Sequence, residues 1–189
     1  MTTKPSVFIV EDNNIIVMEL EGRLEDLGYA VSGHAMTGTD ALEAVKHRRP
    51  DLVLMDIRLR GDMDGIEVAR RIRSEMGIPV IYLTAHADAD TLERAKVAEP
   101  FGYLIKPFDE RELHSAIEVA LYKHNMEQKL NESQQWLTTI LKSIGDAVIA
   151  SSTDGKVSFL NDVATALTGW DRDAALGRSL CDVLRIQQR

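Results

Sequence analysis

The chain has 189 residues, 44% of them hydrophobic, a formal net charge of −8 and one cysteine, Cys181, which is enough for one full domain and part of a second but excludes an internal disulfide or a cysteine-cluster zinc site. No apolar run reaches about 18 residues and MTTKPS is not a signal-peptide pattern, so the expectation is a cytoplasmic protein without a membrane segment. Residues 1–120 carry 14 Lys+Arg against 22 Asp+Glu and the rest 8 against 8; with no basic block, direct nucleic-acid binding through phosphate neutralisation is not expected.

The first two-thirds alternate short apolar runs with helical patterns. The runs are Val7 to Val10, Tyr29 to Gly33, Asp51 to Ile57, Pro79 to Ala85 and Gly102 to Pro107. Several place Val, Ile and Leu on successive positions, as strands buried on both faces require. Between the first two lies Ile15 to Leu27, with Ile16, Leu20, Leu24 and Leu27 on one stripe and Gly28 as its stop. Segments Asp40 to His47, Gly65 to Glu75 and Ala89 to Ala98 read the same way. Five strands alternating with helices predict an α/β fold with a parallel, doubly wound (flavodoxin-like) sheet.

A fifth helix is predicted to start near Asp109, with Glu110 and Glu112 favouring its positive end. No Pro or Gly interrupts Glu112 to Ser143, and residues 123–135 are polar, so 123–143 reads as a solvated connecting helix. Leu130, Leu137 and Ile144 are spaced by seven, which admits a homodimer through this helix, although the intermediate positions are poorly apolar. From Ile144 the texture changes: AVIASS, TDG and KVSFLN predict a hairpin turning at Asp154-Gly155. Short helices are expected at Asp162 to Thr168, Arg172 to Leu176 and Leu180 to Ile186, with Trp136 and Trp170 as packing residues.

In parallel α/β sheets, chemistry collects at the carboxyl ends of the strands. Strand one ends in Glu11-Asp12, strand three in Asp56, strand four in Thr84-Ala85 and strand five in Lys106-Pro107. Three carboxylates in one crevice raise one another's pKa unless a cation is present, and oxygen ligands with room for water suit Mg²⁺. A lysine and a hydroxyl opposite them can hold phosphoryl oxygens, and a carboxylate there can be the nucleophile. Singly, each residue has a plainer role: Asp12 or Asn13 can cap the first helix, Lys106 can be a surface lysine and Thr84 a strand end. Asp56 is hardest to explain that way, since an acid closing the run LVLM costs energy without a partner.

The acid pair after strand one, the lone Asp after strand three, Thr-Ala after strand four and Lys-Pro after strand five resemble the response-regulator receiver family of two-component signalling, over residues 1–122. The resemblance implies that Asp56 accepts a phosphoryl group from a phospho-histidine donor, a sensor histidine kinase or phosphotransfer protein. It implies that Asp12 and Asp56 bind Mg²⁺ with the backbone carbonyl of Arg58, Glu11 acting through water, while Thr84 and Lys106 hold the phosphoryl oxygens. Tyr103, three before Lys106, matches the family's switch aromatic. The loop RLRGDMDG resembles the family's proline-free DIxLxGxxDG variant; Gly61 and Gly65 are expected to supply positive φ there. Arg58 and His86, two positions after Asp56 and Thr84, flank the approach of a hydrolytic water.

Residues 144–189, with the preceding ILKS, resemble the N-terminal half of a PAS sensor domain, through the sequence DAVIASSTDGKVSFLNDVATALTGW. A truncated α+β PAS segment is therefore expected, with one edge of its hairpin unpaired and Val148, Val157 and Phe159 lacking cover. Cys181 in GRSLCDVL departs from the GxNCRFLQ of flavin-binding relatives, which counts against photochemistry. A dehalogenase-type aspartyl phosphatase would need Asp at position 58, where Arg stands. The expected function is thus a phospho-accepting switch rather than an enzyme, signalling through a helix to a PAS domain. The alternative is the N-terminal receiver-PAS part of a larger hybrid histidine kinase.

Overall fold

The structure is a computed structural model that describes residues 4–61, 63–85 and 101–184. It divides into two compact units, Met1–Glu127 and Gln128–Arg189. In the first, β1 (Ser6–Val10), β2 (Ala30–Ala35), β3 (Leu52–Asp56), β4 (Val80–Thr84) and β5 (Gly102–Ile105) form one sheet in the order β2-β1-β3-β4-β5. Every pairing is parallel. The chain order therefore reverses between β1 and β3, and the crevice at their carboxyl ends lies at this switch point.

The successive apolar residues of the strands divide between two cores. Phe8, Val10, Val53, Met55, Val80 and Tyr82 join α2 (Gly38–Arg48) and α3 (Gly65–Arg71) on one face. Val7, Ile9, Leu52, Leu54, Ile81 and Leu83 join α1 (Asn14–Asp26) and the first turns of α4 (Glu110–Ser143) on the other. Side chains alternate across a strand, so covering both faces demands an apolar residue at every position. That is the physical origin of the unbroken runs.

Helix starts follow local chemistry. Asn13, not Asp12, caps α1, its side chain accepting from the Ile15 amide at 3.0 Å. At α4, Asp109 and Glu112 form a reciprocal capping box: the Glu112 amide donates to Asp109 Oδ1 at 2.8 Å and the Asp109 amide to Glu112 Oε2 at 2.9 Å. After α3 the chain passes into a π-helical turn, Ile72–Met76, before Gly77 at φ +68°. The helix expected at Ala89 to Ala98 lies outside the described residues, as do positions 185 and 186 of the last expected helix.

On α4, Val119, Tyr122, Met126, Leu130 and Leu137 are exposed. They recur at steps of three, four, four and seven, closer to an eleven-residue repeat than to the simple heptad expected. Trp136, expected to pack, is 64% exposed; it follows the polar stretch at 123–135 and joins none of the hydrophobic clusters among the described residues.

The second unit holds the hairpin of β6 (Ile149–Ser151) and β7 (Val157–Leu160), then α5 (Asp162–Thr168), α6 (Arg172–Ala175) and α7 (Leu180–Val183). The expectation of an uncovered β7 is corrected at Val157. Its amide donates to the Arg178 carbonyl at 2.8 Å, its carbonyl accepts from the Gly177 amide at 2.8 Å, and Lys156 bridges Ser179. The segment after α6 thus folds back along the start of β7, and Val157 is buried with Leu160, Ala164, Ala175 and Val183.

Asn161 ties this small core together. Fully buried, its Oδ1 accepts from the Val148 and Ala164 amides, both at 2.9 Å. Its Nδ2 donates to the carbonyls of Asp146 at 2.8 Å and Leu141 at 3.1 Å. One side chain therefore serves the end of α4, the following loop, β6 and the start of α5. Asn161→Ala leaves these groups unpaired, at about 1–3 kcal/mol for each one that stays buried. The expected result is faster hydrogen exchange at Val148 and Ala164, with Val53 and Ile81 in the first unit unchanged. Unaltered exchange at Val148 and Ala164 rejects the assignment.

Candidate functional site

The site lies beyond the carboxyl ends of β1, β3, β4 and β5, and the ladder itself brings its residues together. Past the strands, the Glu11 amide donates to the Ala35 carbonyl at 3.1 Å, Ile57 to Leu83 at 3.2 Å and Lys106 to Thr84 at 2.7 Å. These bonds deliver Glu11, Asp56, Thr84 and Lys106 to one edge, around a cavity of about 280 Å³ that Asp12 and Arg58 also line. The space is small for an organic cofactor but ample for a phosphoryl group and a few waters. The Lys106–Pro107 peptide bond is cis.

Lys106 is the hub. Its Nζ lies 2.5 Å from Glu11 Oε2 and 2.6 Å from Asp56 Oδ2, and the three side chains are 17%, 2% and 13% exposed. Asp56 Oδ1 accepts from the Arg58 amide at 2.8 Å, so both oxygens of this carboxylate are oriented. Asp12 stands apart from the hub and pairs with Arg60, Nε to Oδ2 at 2.8 Å.

The electrostatics follow from two buried acids sharing one lysine. Burial pushes Glu11 up to about 7; the adjacent Asp56 carboxylate adds to the rise and Lys106 pulls against it. For Lys106, burial acts to lower the pKa, but the bonds to Asp56 and Glu11 outweigh it and the net direction is up. The cavity therefore holds more acid than its lysine can balance, and its donors are hard oxygens, a set that fits a divalent cation.

Among the described residues, no three acidic, histidine or cysteine side chains are arranged to hold a metal ion together. Lys106 draws Glu11 and Asp56 to itself while Arg60 draws Asp12 away. Two carboxylates with backbone and water suffice for Mg²⁺, so the donor set still fits that ion.

Thr84 is buried at the cavity wall. Tyr103 is partly buried against the α2/α3 core with its ring 5.8 Å from that of Tyr82. Its hydroxyl is buried without a hydrogen-bond partner among the described residues, and burial raises its pKa. Arg58 is exposed, and His86 lies outside the described residues.

Sequence reasoning missed two features of the loop after β3. Gly61 does take positive φ, at +122°, but Gly65 does not. Gly65 is the first residue of α3, capped by Asp64, and its amide donates to the Ile57 carbonyl at 3.0 Å. A Cβ on Gly65 would fall onto the backbone carbonyl of Asp56. The requirement is close approach of helix to strand, which DG in the sequence can signal only as a cap followed by a small residue. The pairing of Asp12 with Arg60 had no sequence signal, because the two are far apart along the chain.

The comparisons with known proteins bear on the family and the fold. A family model described as "Response regulator receiver domain" matches residues 7–118. The chain belongs to the response-regulator receiver family. A second model, the PAS fold, matches residues 137–189, so the receiver is followed by a PAS segment. Among curated proteins, the transcriptional regulatory protein PdtaR of Mycobacterium tuberculosis is 40% identical over 115 residues, covering 61% of this chain and 56% of PdtaR. The DNA-binding transcriptional regulator NtrC of Proteus hauseri is 33% identical over 147 residues, covering 76% of this chain and 30% of NtrC. The alignments thus reach about half or less of these relatives' own length. Among solved structures, the signal receiver domain of a modulated diguanylate cyclase from Desulfovibrio desulfuricans G20 is 41% identical at a TM-score of 0.64. It covers 66% of this chain and 99% of that one. The N-terminal domain of a response regulator/sensory box/GGDEF 3-domain protein from Carboxydothermus hydrogenoformans is 34% identical, TM-score 0.60, covering 65% and 98%.

The contact at Gly65 yields a test within the receiver. Gly65→Ala is expected to cost about 3 kcal/mol or more, the upper end of overpacking, because its Cβ meets backbone atoms of Asp56 and Ile57 that cannot swing away. Gly61→Ala, whose added methyl group meets open space, carries the smaller cost of its positive φ, about 1–3 kcal/mol. Denaturant midpoints reported by the Val53 and Ile81 amides check the order; equal costs contradict it.

Proposed function

We propose that this receiver accepts a phosphoryl group on Asp56 and passes the change through α4 to the PAS segment. The observation that carries the proposal is the double hold on Asp56, by Lys106 on one oxygen and the Arg58 amide on the other. Glu11 is almost wholly buried and shares Lys106, and Asp12 is tied to Arg60. Asp56 is the acid held at both oxygens by firm partners while still lining the cavity; Asp12 lines it too, but its partner is an exposed arginine.

In this reading Mg²⁺ is held by Asp12, Asp56 and the backbone carbonyl of Arg58, with Glu11 acting through water. The ion would supply charge shielding between carboxylate and phosphoryl oxygens. Asp56 attacks the phosphorus, the donor histidine nitrogen departs with its electron pair, and Lys106 and Thr84 hold the phosphoryl oxygens. Lys106 then exchanges a carboxylate partner for a phosphoryl oxygen, and Thr84 moves toward it. The space Thr84 leaves goes to Tyr103, whose unpaired hydroxyl makes its present packing easy to give up. The protein is then a switch rather than an enzyme acting on other molecules.

The donor is a sensor histidine kinase or a phosphotransfer protein, and no nucleic acid is a direct partner. An apolar groove of about 330 Å³ beside Lys106, lined by Ile16, Leu20, Pro107 and Phe108, suits the approach of such a donor. No helix among the described residues is long and apolar enough to cross a membrane, and a cytoplasmic site of action belongs to the same reading. So do domain limits at residues 1–122, 123–143 and 144–189. A homodimer through α4 is supported by the exposed stripe at Val119, Tyr122, Met126, Leu130 and Leu137.

With a small phospho-donor and Mg²⁺, the chain is expected to gain one hydroxylamine-sensitive phosphate. Asp56→Asn abolishes it and Tyr103→Ala does not. Labelling that survives Asp56→Asn sinks the site assignment. Sedimentation of the same samples reads the dimer: Leu130→Glu should lower the mass of a wild-type dimer, and a wild type that stays monomeric when phosphorylated removes that part.

A further inference from the structure

Each of the three acids at the cavity already has a cationic partner, and the partners differ in how firmly they are held. Lys106 is 17% exposed and bonds two acids at once. Arg60 is 86% exposed and pairs with a single acid, Asp12, itself only 18% exposed. An exposed pair of this kind is weak because water and salt compete for both partners. The residue that follows, Gly61, sits at φ +122° with nothing within 4 Å of where a Cβ would stand. Leu59 and Met63 anchor the loop on the core, but the Arg60 side chain between them is in solvent, and the arm can leave without displacing packed atoms.

We propose that Arg60 is a displaceable counterion of Asp12, which a divalent cation entering the cavity must expel. This rests on the metal reading above and adds a residue outside that set. A guanidinium at 2.8 Å from Asp12 Oδ2 and a divalent ion on the same carboxylate repel each other and draw on one negative charge, so each weakens the other's hold. Arg60 thus keeps Asp12 paired before metal arrives, spares the site a third uncompensated carboxylate, and lowers its affinity for the ion. Metal entry in turn releases the arm, so the loop between β3 and α3 responds to metal before any phosphoryl transfer. Lys106 cannot play this part, since its departure would strand two buried acids together.

The test is calorimetric titration of Mg²⁺ into the full chain at low salt. Arg60→Gln is expected to bind about two- to fivefold more tightly than wild type, the span that an exposed ion pair contributes. The gap should narrow as NaCl rises to about 0.5 M, where exposed charges are screened. Arg58→Gln removes the same charge from the same loop and should give a smaller gain. In NMR, the Arg60 Nε–H resonance should shift when Mg²⁺ is added. Asp12→Asn, which removes a ligand, should weaken binding sharply. If Asp12→Asn weakens binding but Arg60→Gln equals wild type, or gains no more than Arg58→Gln, the counterion proposal is overturned and the metal reading stands. If Asp12→Asn binds as wild type does, the metal is not at Asp12 and both fall.

Discussion

Lys106 holds Glu11 and Asp56 together, and the receiver is arranged so that this contact can exist. Two carboxylates at a buried sheet edge repel each other, and either one without a partner would be costly. A single ammonium between them relieves both, provided it can reach both strand ends. The parallel register provides for that. Val10 and Met55 are level, so Glu11 and Asp56 follow side by side. Met55 pairs Tyr82 and Tyr82 pairs Tyr103, so Lys106 stands three residues beyond that level and its long side chain spans the distance. Removing Lys106 would leave an uncompensated buried pair, a loss of about 3–5 kcal/mol by comparison with other broken buried ion pairs. In the proposed reading the same contact readies the site, because the lysine would already stand where the negative oxygens of an incoming group need it.

The arrangement has a surplus of acid that the lysine does not balance. Glu11, pushed up by burial and by Asp56, carries part of that surplus as a raised proton affinity. Asp12 carries the rest, held by Arg60 at the rim. In the proposed reading a divalent cation would relieve the second without disturbing the first. Held and exchangeable charges thus occupy separate sides of one small cavity, Lys106 on the β5 side and Arg60 on the loop after β3.

Much of this was legible in the sequence because the signals are local. Runs such as LVLM report strands covered on both faces, and Asp109 with Glu112 reports a capped helix start. The acids and the lysine follow directly on predicted strands, so strand order alone assembles the cluster. What escaped was set by approach in space. Gly65 reads as a turn glycine, yet its role is to let α3 meet the Asp56 carbonyl. Arg60 reads as a solvated loop residue until the fold brings it over Asp12. The edge of β7 looked bare because its cover, the segment around Arg178, has no strand pattern of its own. Trp136 was assigned to packing on residue type, yet it joins none of the hydrophobic clusters among the described residues.

The central claim is that, of three neighbouring acids, Asp56 is the nucleophile: both its oxygens are held, by Lys106 and the Arg58 amide, and it is not sealed away as Glu11 is. Borohydride reduction of the phosphorylated chain converts an aspartyl phosphate to homoserine and leaves free carboxylates intact. Peptide mass mapping should then find homoserine at position 56, with Glu11 and Asp12 unchanged. Reduction at position 11 or 12, or phosphorylated chain with position 56 unreduced, would contradict the account.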